Sequence, residues 1–193
     1  MAVPSPTPDK SALRAEGLRR RRDYAASLTP ELRGTLERRL AELVLPHLLQ
    51  ARIVGGYHPL RDEISPQPLL SLLDPSQRTG FPWFAERDSR FIWREGPATE
   101  PSPWGVRQPS AKAEALAPDV VLVPLVLADR CGTRIGHGKG HYDRALAHLR
   151  ESGAVFAIGL GWDEQISSTP LPPEPWDMKL DAIATPAEWI ACG

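Results

Sequence analysis

The sequence predicts an α/β fold, a single three-layer domain with a mostly parallel central sheet flanked by helices. Two apolar runs, at 120–128 and 154–160, have the composition of strands buried on both faces. Helical patterns precede the first run and separate the two runs, and this alternation is typical of a parallel sheet covered on both faces. We assign residues 10–193 to this domain and expect residues 1–9, which are rich in proline and serine, to be disordered.

In the first half of the chain, predicted helices alternate with short predicted strands. A helical pattern begins at Lys10 and continues to Leu28. Thr29 followed by Pro30 is typical of a second helix start, with Thr29 as the N-cap. Beyond this helix, strands are predicted at 53–57, 80–83 and 90–93, and a helix at 66–73.

The second half contains two loops and the most strongly apolar strands. Residues 95–108 include three prolines and are predicted to form a long irregular loop. A short helix is predicted at 111–117, before the buried strand at 120–128. Residues 142–151 have the apolar spacing of a helix, residues 154–160 form the second buried strand, and residues 165–175 form a proline-rich loop.

Composition and charge exclude several classes of protein. The chain has 193 residues, of which 41% are hydrophobic and 24% charged, as is ordinary for a globular protein. Its formal net charge of -1 gives no overall field to attract nucleic acid, and no apolar run approaches the roughly 20 residues of a membrane helix. The two cysteines have no metal-ligand spacing, and the start lacks the layout of a signal peptide. We expect a monomeric, cytoplasmic protein without nucleic-acid or membrane partners.

Residues 132–143 have the features of a phosphate-binding loop. Gly136, Gly138 and Gly140 are expected to take positive φ and to bring backbone N–H groups close to an anion. Arg134 and Lys139 add full positive charges, and the helix that follows presents its N-terminus, where an anion is favoured. The alternative is a glycine-rich turn that only joins a strand to a helix.

The loop matches neither of two common nucleotide-binding motifs. A Walker A loop requires Ser or Thr after Gly-Lys, whereas Gly140 follows Lys139. A dinucleotide fingerprint requires two residues between its second and third glycines, whereas one residue separates Gly138 from Gly140. The residues alone therefore predict a bound phosphate without identifying the ligand.

A longer pattern includes this loop. Residues 123–129 read Val-Pro-Leu-Val-Leu-Ala-Asp, and residues 132–144 read Gly-Thr-Arg-Ile-Gly-His-Gly-Lys-Gly-His-Tyr-Asp-Arg. Together they resemble the signature of the 5-formyltetrahydrofolate cyclo-ligase family, also called methenyltetrahydrofolate synthetase. The chain departs from that pattern at His141, where the family usually has an aromatic residue, although an imidazole can also stack. The resemblance implies Mg²⁺- and ATP-dependent closure of 5-formyltetrahydrofolate to 5,10-methenyltetrahydrofolate, with ADP and phosphate as products.

The resemblance also implies roles for individual residues. Lys139 and Arg134 are the implied catalytic cations on the ATP phosphates, and Asp143 and Asp177 are the implied ligands of Mg²⁺, which prefers hard oxygen donors. The implied folate-binding residues are Glu63, Trp104 and His141. The implied ATP-binding residues are Lys10, Arg14, Arg134, Gly136, His137, Gly138, Lys139, Gly140, His141 and Tyr142. Lys10 and Arg14 match the family's Lys-x-x-x-Arg opening, and their spacing also places them on one helix face.

Several alternatives stay open at this point. The four arginines at 19–22 are expected to form a solvated helix face. Trp104 either stacks on a planar ring or anchors its loop in the core, and Asp181 either supports the metal site or is only an acid at a strand end. The chain can also be another phosphate-ligand enzyme, of the sugar-phosphate isomerase or coenzyme A transferase type, or a non-catalytic folate- or nucleotide-binding relative.

Overall fold

The computed structural model describes residues 9–193, which form a central sheet with helices on both faces. The helices are α1 (Lys10–Ser27), α2 (Pro30–Val44), α3 (Gln67–Leu70) and α4 (His141–Ser152), with 3-10 turns at Leu45–Leu48 and Asp163–Gln165. The strands are β1 (Ile53–Gly55), β2 (Arg78–Trp83), β3 (Ile92–Glu95), β4 (Glu100–Pro101), β5 (Arg107–Gln108), β6 (Ala115–Leu116), β7 (Val120–Pro124), β8 (Leu127–Asp129), β9 (Arg134–Ile135), β10 (Phe156–Leu160), β11 (Ile166–Ser167), β12 (Ala182–Ala184) and β13 (Trp189–Ala191).

The central sheet has the strand order β13-β12-β10-β7-β1-β2-β3-β6. Its inner strands, from β12 to β2, are parallel, whereas β13, β3 and β6 pair antiparallel toward the two edges. Alternate residues of β7 belong to two hydrophobic clusters, one containing Leu40 of α2 and the other Leu146 of α4. The predicted α/β fold, with a mostly parallel sheet flanked by helices, is confirmed.

The four helices α1 to α4 begin within one residue of the predicted positions, although α3 ends at Leu70 instead of residue 73. Thr29 is the N-cap of α2, where its hydroxyl oxygen accepts a hydrogen bond from the Leu32 N–H at 3.2 Å. Asp9 caps α1 by accepting a hydrogen bond from the Ser11 N–H at 3.2 Å, while the rest of the segment predicted to be disordered, residues 1–8, lies outside the described residues. Within residues 9–193, no helix combines the length and the apolar character that a membrane span requires.

The apolar run at 120–128 forms two strands rather than the single strand predicted. β7 ends at Pro124, which has no N–H to donate to a ladder, and β8 pairs with β9 and β11 in a separate 3-stranded sheet. Between the two strands, the Leu125 carbonyl oxygen accepts hydrogen bonds from Arg21 and Gln165. The break directs the chain out of the central sheet and toward the glycine-rich residues 132–140.

Two other expectations are wrong. Residues 111–117 form a turn and then β6 instead of a helix, because Leu116 pairs with Trp93 of β3 and is buried there, and packing overrides the helix propensity of alanine. Residues 95–108 are not wholly irregular, since β4 and β5 form a short ladder. The predicted strands at 53–57 and 90–93 exist with shifted bounds, because β1 ends at Gly55 and β3 begins at Ile92.

Gly17 allows α1 to lie very close to the segment between β7 and β8. A Cβ on Gly17 would lie 2.9 Å from the Val126 carbonyl oxygen and 3.0 Å from a Val126 methyl group. Real Cβ atoms do not approach a backbone oxygen so closely, so a side chain at this position would move the helix. The close approach brings Arg21, one turn further along α1, to the Leu125 carbonyl oxygen.

We expect Gly17→Ala to lower the melting temperature, although alanine has the higher helix propensity by about 1 kcal/mol. The added Cβ would push α1 away from Val126, and such overpacking costs about 1–3 kcal/mol. Gly34→Ala in α2 is the matched control, because its Cβ would meet only the Arg38 guanidinium, at 3.5 Å, and should raise the melting temperature. Thermal melts of both variants test this, and a rise for Gly17→Ala would contradict the close approach.

Candidate functional site

The glycine loop, defined here as residues 136–140, lies between β9 and the N-terminus of α4. Because α4 connects the parallel strands β7 and β10, this N-terminus lies at the edge where β7 ends, the usual ligand edge of an open α/β sheet. Gly138 and Gly140 have φ values of 85° and 62°, and Gly140 is the N-cap of α4 without a side-chain cap. Gly136 does not take the predicted positive φ, but a Cβ there would meet nothing within 4 Å. The N-terminus of α4 is therefore left open to a ligand.

One face of α1 contacts this loop and residues 174–177, which lie before β12. The Arg14 Nε donates a hydrogen bond to the Gly136 carbonyl oxygen at 2.8 Å. The Lys10 ammonium donates to the Asp177 carboxylate at 2.5 Å and to the Glu174 carboxylate at 2.9 Å. Partial burial lowers the pKa of Lys10, but the hydrogen bonds to both acids outweigh it and raise the pKa above its usual value. Both predicted cations of α1 thus lie at the glycine loop or at a predicted metal ligand.

The second predicted metal ligand, Asp143, lies in the first turn of α4 and pairs with Arg134. Arg134 is buried, and its guanidinium donates to Asp143 Oδ1 at 2.6 Å and to the Met178 carbonyl oxygen. The Met178 N–H donates to the same Asp143 oxygen at 3.1 Å. These contacts bring Asp143 close to the segment that contains Asp177, although the two residues are far apart in sequence.

The two aspartates are suited to hold a cation between them and a ligand. Asp143 Oδ2 and Asp177 Oδ1 accept no hydrogen bond from any residue in 9–193. Two free carboxylate oxygens, completed by phosphate oxygens and water, fit the preference of Mg²⁺ for hard oxygen donors. Within the described range, no group of three or more His, Cys, Asp or Glu side chains could hold a metal by itself. The donor set therefore fits Mg²⁺ bound jointly with a phosphate ligand.

Lys139 differs from Lys10 and Arg134, which pair with carboxylates, because no carboxylate in residues 9–193 lies within salt-bridge distance of it. Its ammonium lies 5.5 Å from the centre of the Trp104 ring, a cation–π contact of modest strength. Its side chain is exposed. The structure thus presents an uncompensated positive charge at the centre of the glycine loop.

Beside Lys139 lies an aromatic cleft, formed by Phe84, Trp104 and His141. The His141 ring meets Phe84 at 5.0 Å between centroids and Trp104 at 5.3 Å, both edge to face. The Arg144 guanidinium lies 3.1 Å from His141 Nδ1, and because arginine can only donate, this nitrogen accepts and Nε2 carries the hydrogen of the neutral ring. Burial, followed by the charges of Arg144 and Lys139, lowers the pKa of His141. Trp104 is half-buried, and it contacts His141 and the Lys139 ammonium beside the glycine loop.

Glu63 is a buried carboxylate that contacts the glycine loop from the other side. Its Oε2 accepts a hydrogen bond from the Leu60 N–H at 2.8 Å, and its Oε1 lies 3.5 Å from His137 Nε2.

Two other side chains considered from the sequence, a tyrosine hydroxyl and a carboxylate, lie outside the glycine loop. Tyr142 packs edge to face on Phe91 at 5.1 Å, and burial, with the nearby charge of Glu63, raises the pKa of its hydroxyl. Asp181 lies apart from the glycine loop, where it accepts hydrogen bonds from Arg150 and the Ala157 N–H, each at 2.7 Å.

Arg21 is the residue that sequence reasoning missed. The arginines at 19–22 were expected to be solvated, yet Arg21 is only 2% exposed and donates to Glu63 and Asp62. Helical spacing could have indicated its position, because residues 10, 14, 17 and 21 are spaced i, i+4, i+7 and i+11 and so lie on one face of the helix. This face holds glycine and cations instead of apolar residues, so a search for apolar periodicity does not detect it.

The fold and the site define an α/β protein with a candidate anion-binding loop between an aromatic cleft and two carboxylates. Residues 6–186 match the model of the 5-formyltetrahydrofolate cyclo-ligase family. The chain belongs to that family.

Curated relatives carry the same name. The chain is 34% identical over 109 residues to the 5-formyltetrahydrofolate cyclo-ligase of Mycolicibacterium smegmatis, in a match covering 56% of this chain and 52% of that protein. It is 39% identical over 74 residues to the 5-formyltetrahydrofolate cyclo-ligase of Escherichia coli, covering 37% of this chain and 40% of that protein. The chain thus spans about half the length, or less, of these curated relatives.

Two solved structures share the fold over most of their length. The NMR structure of 5,10-methenyltetrahydrofolate synthetase from Aquifex aeolicus matches with a TM-score of 0.71 and 26% identity, covering 95% of this chain and 92% of that one. The 5,10-methenyltetrahydrofolate synthetase from Mycoplasma pneumoniae matches with a TM-score of 0.70 and 22% identity, covering 93% and 99%.

Proposed function

We propose that this protein catalyses the ATP- and Mg²⁺-dependent cyclisation of 5-formyltetrahydrofolate to 5,10-methenyltetrahydrofolate, with release of ADP and phosphate. One observation carries the proposal, which is that the glycine loop contacts both groups of candidate folate residues. Its Lys139 lies 5.5 Å from the Trp104 ring centre, and its His137 lies 3.5 Å from Glu63. A phosphate held by this loop would therefore lie beside a flat ring held by the cleft and Glu63.

The phosphate side of the site consists of cations and backbone N–H groups. Lys139 and Arg134, with the N–H groups of the glycine loop, are proposed to bind the ATP phosphates, with Lys10 and Arg14 along the other side of the nucleotide. Asp143 and Asp177 would hold Mg²⁺, which when bound neutralises phosphate charge. Because phosphoryl transfer needs mainly positioning and charge stabilisation, these residues suffice without a covalent nucleophile.

The folate side of the site is aromatic and acidic. The Glu63 carboxylate can accept hydrogen bonds from the amino and ring N–H groups of a pterin. Trp104 and His141 are proposed to pack against the planar ring system. Together these contacts would aim the formyl group at the glycine loop.

The proposed chemistry converts a poor leaving group into a good one. The formyl oxygen attacks the terminal phosphorus of ATP, the bond from that phosphorus to ADP breaks, and an imidate phosphate forms. The neighbouring folate amine then attacks the formyl carbon and loses its proton. Phosphate leaves with the original formyl oxygen, which gives the methenyl bridge. Lys139 would stabilise the charge that develops during phosphoryl transfer.

We further propose that the protein acts as a monomer in the cytoplasm. The proposal is supported by the contacts within a single copy of the chain, where Lys139 lies beside Trp104 and His137 beside Glu63. Size-exclusion chromatography with light scattering tests the oligomeric state directly.

The deciding experiment mixes purified protein with 5-formyltetrahydrofolate and Mg²⁺, with and without ATP, and follows absorbance in the methenyl-folate band. An ATP-dependent rise is expected. Folate binding by calorimetry without any rise would instead support a non-catalytic relative. If neither ATP nor folate binds, another phosphate-ligand enzyme becomes the better explanation.

Asp143→Asn should raise the Mg²⁺ concentration needed for half-maximal turnover by at least about 10-fold. The amide oxygen can still accept the hydrogen bond from Arg134, so the variant loses the negative charge rather than the contact. Asp181→Asn is the control, because Asp181 binds Arg150 and the Ala157 N–H instead. Equal Mg²⁺ requirements in wild type and Asp143→Asn would rule out Asp143 as a ligand.

A further inference from the structure

Arg21 is a buried cation with several fixed partners. Its guanidinium donates to both Asp62 oxygens, at 3.0 and 3.2 Å. Its Nη1 donates to Glu63 Oε1 at 3.1 Å and to the Leu125 carbonyl oxygen at 3.0 Å. The side chain is 2% exposed, so a rotation away from these acceptors would leave a charge buried and unpaired.

These contacts hold Glu63 from one side. With Oε1 bound by Arg21 and Oε2 bound by the Leu60 N–H at 2.8 Å, the carboxylate has one defined orientation. Each oxygen keeps a further lone pair, since an ionised carboxylate can accept about four hydrogen bonds. Arg21 pairs with two carboxylates, those of Asp62 and Glu63, so the three side chains together carry a formal charge of about -1. This negative charge suits the edge of a pterin ring, which presents N–H donors.

Stability alone does not account for such a cluster. A buried ion pair is often no more stable than well-packed apolar residues of similar volume. Four positions earlier on the same helix face, Gly17 packs against Val126 and Leu127, which are buried and apolar, so this face of α1 makes apolar contacts where no charge is needed. A role in orienting a functional carboxylate explains why a charge is found there.

We propose that Arg21 is a positioning residue for the folate substrate, which acts by holding the Glu63 carboxylate in the orientation that accepts the pterin N–H groups. This inference rests on the proposed function, in which Glu63 binds the pterin. Arg21 does not touch the substrate itself. Within residues 9–193, none of the hydrogen-bond partners of Arg21 belongs to the glycine loop, and the only link to it is Glu63 Oε1, which lies 3.5 Å from His137 without a hydrogen bond. We therefore expect the loss of Arg21 to act on the folate side of the site.

The test measures binding of 5-formyltetrahydrofolate and, separately, of ATP by calorimetry, so that it does not depend on turnover. Arg21→Met should weaken folate binding by about 10- to 100-fold, the effect of losing a well-aligned charged hydrogen bond, and leave ATP binding unchanged. Arg22→Met is the matched control, because Arg22 is adjacent on the same helix and its side chain is 68% exposed. Arg21→Lys keeps the charge but not the fork of donors, so it should bind folate more tightly than Arg21→Met and more weakly than the wild type.

A double variant separates positioning from a general structural role. If Arg21 acts through Glu63, Arg21→Met combined with Glu63→Gln should bind folate no more weakly than Glu63→Gln alone. Additive losses, equal weakening of ATP binding, or unchanged folate binding in Arg21→Met would each overturn the proposal. Should Arg21→Met fail to give a folded melting transition, Arg21→Lys decides by the same criterion. An absence of ATP-dependent turnover in the wild type, with folate binding and its dependence on Arg21 intact, would overturn the proposed reaction but not this inference.

Discussion

Lys139→Ala should lower the turnover number by roughly 100- to 1,000-fold at saturating ATP and folate, the effect of removing one preorganised group that stabilises transition-state charge. Lys139 is the loop cation that no carboxylate in residues 9–193 compensates, so its charge is available to a phosphate. The change is measured as the initial rate of absorbance increase in the methenyl-folate band. Because the side chain is exposed, the melting temperature should stay the same.

Lys112→Ala provides the control for this prediction. Lys112 is also an exposed lysine, in the turn before β6, and its removal should leave the rate unchanged. If Lys139→Ala weakens ATP binding but turns over normally at saturation, Lys139 only binds ATP and does not stabilise the transition state.

Among single glycine-to-alanine changes in residues 132–140, Gly132→Ala should cause the largest loss of stability. Gly132 has a φ of 81°, which costs an L-residue about 1–2 kcal/mol. A Cβ would also clash with the Leu180 carbonyl oxygen, and such overpacking adds about 1–3 kcal/mol. Each kcal/mol should lower the melting temperature by about 2–4 °C for a chain of this size.

Gly105→Ala separates the two contributions. Gly105 has a nearly equal φ of 79°, but nothing lies within 4 Å of its Cβ position, so only the backbone cost applies. Comparable melting temperatures for the two variants would show that the contact between Gly132 and Leu180 is not close in solution. Gly132→Ala should also weaken ATP binding, because the Gly132 carbonyl oxygen accepts the Leu180 N–H at 3.0 Å and this contact supports the segment that contains Asp177.

Much of the fold and the conformation of the glycine loop could be predicted from the sequence, because local features encode them. The apolar runs before and after the glycine loop predicted buried parallel strands, and β7 and β10 are those strands. The glycines with an embedded lysine predicted an open loop at a helix N-terminus, which is where Gly138 and Gly140 lie. Signals of this kind depend on neighbouring residues and on the periodicity of one element.

The structure decided what depends on distant contacts. The sequence contained no sign that Lys10 contacts Asp177, a pair separated by 167 positions. Leu116 forms an edge strand because Trp93 is beside it, although the alanines around it favour a helix. Arg21 is one of four consecutive arginines at 19–22, and the neighbouring residues give no sign that it alone is buried.

The sequence by itself determined the fold class, the glycine loop and the family to which the chain belongs. Only the tertiary structure decided which cation of α1 is buried, where the run at 120–128 breaks, and which acid each cation pairs with. The physical reason is that propensity and patterning act over a few residues, whereas the burial of a charge depends on every element packed around it. Arg21 is buried because Gly17 admits α1 to within contact distance of Val126, and that approach places Arg21 beside Glu63.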